Sequence, residues 1–173
     1  VLLIMWQHRG QRRPDFADTP GPGQESVWDY PRPPALGPAE QLVEVFEGER
    51  LLARSRGALR VLETASPPTV YLPPGDVRTD LLVPVAQSSF CEWKGSASYW
   101  ALADAPDMPV GWSYAQPSPR FRDIAGWFSF YPARVRCLLD GETVRPQGGG
   151  FYGGWVTDAI VGPWKGEAGT GGW

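Results

Sequence analysis

Apolar and polar residues alternate in short runs along most of the chain, and proline or glycine closes nearly every run. ALRVLET, TVYLP and GWSYA each send every second side chain to one face, as a half-buried strand does. LVEVFEGERLLARS reads as two strands around Glu47-Gly48, and RVRCLLDGETVRP as two more around Asp140-Gly141. Both steps predict hairpins, because a tight turn needs residues that accept positive φ. SFCEWKGSASYW reads as one further strand, with Cys91 and Trp93 on one face and Glu92 and Lys94 on the other.

One stretch changes period. Between Ser118-Pro119 and Pro132, residues Phe121, Ile124, Ala125 and Phe128 fall at i, i+3, i+4 and i+7. That spacing predicts a helix capped by Ser118, with its apolar stripe in the core. A shorter turn is expected through DVRTDLL, with Val77 and Leu81 facing inward. The order strands, one helix, strands predicts a mainly β, mostly antiparallel protein with one packed helix.

Composition then sets the limits. The 173 residues suit one domain, expected over residues 27–173. Residues 1–26, basic and rich in Pro and Gly, predict a disordered arm. The opening VLLIMW is far shorter than the roughly 20 residues a membrane helix needs, and basic residues follow it, the wrong order for a secretory signal. Sixteen basic against nineteen acidic side chains leave no electrostatic footprint for nucleic acid or an anionic membrane. Cys91 and Cys137 form no CxxC pair and His8 is the only histidine, so no zinc set and no Ser-His-Asp arrangement is expected. Free thiols and a cytoplasmic location fit that usage.

Chemistry enters through single residues. Glu63 shares a face with Leu59 and Val61, so an inward face would bring a carboxylate into an apolar region, needing Lys94, Arg60 or Arg32 as its partner. Lys94 reads either as part of a solvated face or as a charge at a pocket mouth, with Trp93 or Trp100 as a wall. A catalytic Cys91–Lys94 pair would require a bulge. VWDYPRPP is a proline-stiffened strip in which Trp28 and Arg32 could form a lid or a cation-π stack. Nine tryptophans and six tyrosines are generous for this length, and Tyr71, Tyr99, Trp112 and Tyr131 could line a small-molecule pocket, with Asp76 as a further polar group. GGGFYG, residues 148–153, matches GxGxxG but has no helix long enough after it to bind a dinucleotide; its glycines read as turn and close-approach positions. Trp93-Lys94-Gly95-Ser96-Ala97 is echoed by Trp164-Lys165-Gly166-Glu167-Ala168, a repeat that chance explains as readily as duplication.

In order, ESVWDYPRPP, ALRVLET, PPTVYLPPGDVRTDLL, CEWKGSASYW, GWSYAQPSP, FYPARV, DGETVRPQGGGFYGGW and GPWKGEAGTGGW resemble the domain-of-unknown-function family 427, over roughly residues 24–173. Gly148 stands where the family's text has proline. The resemblance implies a β-tent, two antiparallel sheets pinned at one edge and open at the other. Methionine-R-sulfoxide reductases, a zinc-binding exchange-factor-like chaperone and the drug-binding domain of cereblon are similar in fold, which does not transmit function. Members are often labelled nucleotidyltransferases, yet this chain has no GxxxxGK[ST] and no compact aspartate pair for magnesium. The expectation is a small-molecule binder with an aromatic-lined cleft between its sheets and no cofactor. The alternatives are a metal-independent enzyme using Glu63 as proton carrier and Lys94 as charge stabiliser or nucleophile, with Cys91 beside them, and a protein-interaction module.

Overall fold

The computed structural model describes residues 6–173; Val1 to Met5, the start of the expected arm, lie outside the described residues. Fifteen strands follow one another among them. The first six are β1 (Glu25–Ser26), β2 (Ala35–Pro38), β3 (Val43–Glu47), β4 (Arg50–Ser55), β5 (Leu59–Leu62) and β6 (Thr69–Tyr71). The long central strands are β7 (Leu82–Cys91), β8 (Gly95–Leu102) and β9 (Ala105–Ser113). Short ones complete the chain: β10 (Phe128–Phe130), β11 (Arg136–Leu139), β12 (Glu142–Thr143), β13 (Arg145–Pro146), β14 (Trp155–Val156) and β15 (Ile160–Val161).

They form three antiparallel sheets, ordered β10-β9-β8-β7, β12-β11-β3-β4 and β2-β5-β6, together with two small ribbons, β13-β14 and a parallel β1-β15. The expected hairpins are present. Asp140 and Gly141 turn between β11 and β12 at φ 47° and 82°, and Gly48 turns between β3 and β4 at φ 58°. Fully buried Val43, Val45, Leu52 and Phe130 join Trp155 in the largest core cluster. A second cluster, built on Val61, Tyr71, Trp112, Phe121 and Ile124, lies beside the cleft described below.

Two expectations need correction. Among the described residues no packed helix exists: the longest helical element there is a six-residue 3-10 stretch, Pro119–Ile124, interrupted at Phe121 with φ −110°. Three of the four stripe residues, Phe121, Ile124 and Phe128, are core, while Ala125 is exposed, and the stripe is split between two elements. Gly126 at φ 73° breaks the run, and Phe128 is drawn into strand pairing with Ser113. Pairing along a sheet edge satisfies this backbone and overrides the helical period. Ser118 makes no cap; its hydroxyl donates to the Trp93 carbonyl at 2.6 Å. The turn expected in DVRTDLL is two short 3-10 pieces, Pro74–Asp76 and Thr79–Leu81.

The second correction concerns SFCEWKGSASYW, which is a hairpin and not one strand. Cys91 of β7 pairs with Gly95 of β8, leaving Glu92, Trp93 and Lys94 as the turn. Gly95 adopts φ 102°, so it can close a three-residue loop that a β-carbon would disfavour.

Residues 6–26, whose composition predicts disorder, lie against the domain through specific contacts. The Asp18 amide donates to Gly162 O at 2.8 Å, Arg13 pairs with Asp29 at 2.7 Å, and Phe16 stacks on Trp173 with ring centroids 5.0 Å apart. Composition registers the prolines and glycines but not the distant aromatic surface that receives Phe16.

Candidate functional site

The CEWKG turn is held from outside. The Ser118 amide donates to Lys94 O at 3.1 Å, and its hydroxyl anchors Trp93 O. Turning the chain here puts Cys91 and Lys94 on the same cavity, against the expectation of opposite faces, and no bulge is needed between them.

That cavity, of about 250 Å3, opens between the β2-β5-β6 sheet and the β10-β9-β8-β7 sheet. Seven of the eleven candidate residues line it: Glu63, Tyr71, Cys91, Lys94, Tyr99, Trp112 and Tyr131. Val61 and Glu63 reach it from β5 and its end, and Thr69 and Tyr71 from alternate positions of β6, so each pair shares a face as strand geometry requires. The aromatic wall is internally fixed. Trp112 Nε1 donates to the Tyr71 hydroxyl at 3.0 Å, Trp112 and Tyr131 rings lie 4.6 Å apart, and Ser89 Oγ lies 2.7 Å from the Tyr99 hydroxyl.

Four candidates lie elsewhere. Trp28 is fully buried in another cluster, its indole N–H donating to Pro163 O at 2.9 Å. Asp76 is exposed and accepts from Ser55 Oγ at 2.6 Å, away from the cleft. Trp93 packs against the aromatic cluster beside the cavity, and its Nε1 is buried without a partner among the described residues. Arg32 lies behind Glu63 and does not line the cavity. Its side chain is 1% exposed and donates to Glu63 at 3.2 Å, His8 O at 3.2 Å, Thr64 O at 3.0 Å and Trp173 O at 2.7 Å. Of the three partners expected for Glu63, the ion pair goes to Arg32; Arg60 pairs with Glu25 instead. Arg32 also stacks on Trp6, at 4.1 Å.

Sequence reasoning missed half of the cavity's far wall. Lys165, Gln147, Tyr114 and the aromatics Phe151 and Tyr152 also line it. Gln147 is buried and acts as a clamp: its Nε2 donates to Lys165 O at 2.6 Å, and its Oε1 accepts from Gly154 N at 3.2 Å. The glycine run folds over Lys165 because no side chain intervenes. A β-carbon on Gly149 would collide with the Gly166 carbonyl, and one on Gly153 with the Trp112 ring. Gly148 sits at φ 96°, which proline cannot adopt. The available signal was the Trp-Lys-Gly echo together with scarcity: Lys94 and Lys165 are the chain's only lysines, and both enter one cavity.

The charges divide sharply. Every ion pair among the described residues uses an arginine, and neither lysine takes part in one. Lys165 is 7% exposed and its ammonium faces the Trp6 ring at 4.7 Å and the Tyr152 ring at 5.8 Å. Burial and the nearby Arg32 guanidinium push its pKa down, outweighing the carboxylates of Glu63 and Glu92. Burial also opposes charge on Lys94, but the Tyr71 phenol, the Cys91 thiol and Glu63 outweigh it and hold this ammonium above its ordinary range. Desolvation raises the phenols of Tyr71, Tyr114 and Tyr131.

A larger hollow of about 360 Å3 lies elsewhere, but its charged pair, Glu25 and Arg60, is self-satisfied at 2.8 Å. Among the described residues no group of His, Cys, Asp and Glu is placed to hold a metal ion, and no helix is long and apolar enough to cross a membrane. Both cysteines are free thiols.

A family model described as Domain of unknown function (DUF427) matches residues 35–141, well over half of the chain and narrower than the span over which the sequence motifs resemble it. The matched span includes Glu63, Cys91 and Lys94, and it ends before the glycine loop and Lys165. No curated protein matches the chain.

Proposed function

This chain belongs to the DUF427 family, and from that premise and the geometry above we propose that it binds a small molecule in the aromatic-lined cleft between its sheets. The two splayed sheets are read as the two sides of a β-tent, with the cleft at the open edge. The observation that carries the proposal is convergence: a concave cavity walled by Tyr71, Trp112, Tyr114 and Tyr131 also collects both lysines, a carboxylate and a thiol. Sites for small ligands combine an apolar wall with a few oriented polar groups in this way. At about 250 Å3 the cavity suits a ligand of fragment size.

Catalysis in the cleft would rest on the Lys165 amine, whose burial beside the Arg32 guanidinium pushes its pKa down. The Glu63 carboxylate is already engaged by Arg32. Binding is therefore the better reading.

A thermal-shift screen of metabolites against the wild type and Thr69→Trp tests it. Thr69 lines the cavity, and an indole there would fill it. At least one compound class is expected to raise the wild-type melting temperature by mass action and to have no effect on the filled variant. Absence of any stabilising compound, or equal stabilisation of both proteins, would overturn the proposal.

A further inference from the structure

The cleft's charges are out of balance. Glu63 is the one carboxylate lining it and is taken by Arg32 from behind, while two ammonium groups face the cavity with no ion-pair partner among the described residues. The chain holds fourteen arginines and uses many of them in surface pairs, yet places its only two lysines here. Holding an unpaired ammonium against aromatic walls is unfavourable unless something compensates it. The mouth carries a complementary feature. Of the five exposed large hydrophobic residues among the described residues, three line this cavity: Phe90 at 76%, Phe151 at 75% and Tyr152 at 40% exposure. Apolar surface gathered at the rim of a charged hollow is what an amphipathic ligand would cover.

Resting on the binding reading above, we infer that the ligand is an organic anion: an oxyanion head, carboxylate or phosphate, held by Lys94 and Lys165, with an aromatic body against Tyr71, Trp112 and the Phe90–Tyr152 rim. The polar and apolar features select together. A free inorganic anion would leave the rim uncovered, and a neutral aromatic would leave both ammonium groups without an ion-pair partner.

The probes are benzoate, indole-3-carboxylate and phenyl phosphate, set against benzamide and indole-3-carboxamide and titrated calorimetrically into the wild type, Lys94→Met, Lys165→Met and the charge-keeping Lys→Arg forms. The anions are expected to bind at least tenfold more tightly than the amides, and to weaken as salt rises. Each Met variant should lose tenfold or more for the anions and nothing for the amides, and each Arg variant should recover part of the loss. Preference for phenyl phosphate or for the carboxylates identifies the head. Equal binding of amides and anions overturns the anionic assignment while leaving the cleft a binding site. Anion binding untouched by both Met variants, or no response to either series, also overturns it, and the cleft reading then stands or falls on the metabolite screen. Salt dependence in the wild type keeps the test decisive should a Met variant fail to fold.

Discussion

Two segments of this molecule carry the same three residues and meet at the same cavity, yet their surroundings differ. Trp93-Lys94-Gly95 forms a hairpin turn, and Trp164-Lys165-Gly166 forms a loop under the glycine run; both end in a glycine of positive φ, at 102° and 134°. In the first, Lys94 sits among groups that favour its charge. In the second, Lys165 sits beside Arg32 and is pushed toward neutrality. The indoles differ in the opposite sense: Trp164 Nε1 donates to Gln147 O at 3.2 Å, whereas Trp93 Nε1 has no partner among the described residues. Identical tripeptides thus give one well-anchored segment with a disfavoured charge and one with a favoured charge and an orphaned donor. Local sequence supplies the groups, and neighbours distant in sequence decide what each group does.

The largest break in the comparison is Arg32→Met. It deletes the cation beside Lys165, leaves Glu63 without its ion pair and removes donors to His8, Thr64 and Trp173. Truncating one member of a buried charge pair costs about 3 kcal/mol or more. Urea denaturation should show a loss of that size, and a loss under about 1 kcal/mol would mean that Arg32 is not the fastener described here. The Lys94 segment, which makes no contact with Arg32 in this network, should keep its hairpin.

A smaller and sharper test exchanges the indoles. Trp164→Phe removes a donor that satisfies a buried clamp, at a cost of about 1 kcal/mol, while Trp93→Phe removes a donor that satisfies nothing. Both lose similar ring volume, so the difference between the two, read from paired thermal melts, isolates the hydrogen bond. Trp164→Phe is expected to be the less stable variant; the reverse order would contradict the assigned partners.

How much of this was legible beforehand follows the same division. Hairpins at Glu47-Gly48 and Asp140-Gly141 were readable because turn chemistry and alternation are local. Glu63 lines the cleft beside Val61, as strand alternation predicts, and Tyr71 and Trp112, candidates because of the aromatic content, line it too. The helix was not there because Phe128 finds a better partner in β9, a contact that no window of sequence around Phe121 contains. Cys91 and Lys94 were placed on opposite faces because CEWKG was read as strand, when Gly95 was the sign of a turn. Lys165 was missed although its segment was noticed 71 residues after its twin. An echo at that separation has meaning only once the fold brings both copies to one cavity.

The finest test uses the scarcity of lysine. With two lysines in the chain, 13C-methylation of the amines gives two side-chain signals to follow through an alkaline titration, assigned by Lys→Arg variants. Lys165 should lose its proton first, below the ordinary lysine range, and Lys94 after it, above that range. The signs carry through to stability. A depressed folded value means that Lys165 weakens the fold at neutral pH, and that the penalty disappears as pH rises from the folded value to the ordinary one. Lys165→Met should therefore be the more stable protein at pH 7, by no more than about 1 kcal/mol, with the advantage vanishing in alkali. The raised value at Lys94 works the other way. Its contribution is lost as pH climbs through the folded value. If both amines titrate together, or Lys94 leads, the two segments are electrostatically equivalent and the contrast between them fails.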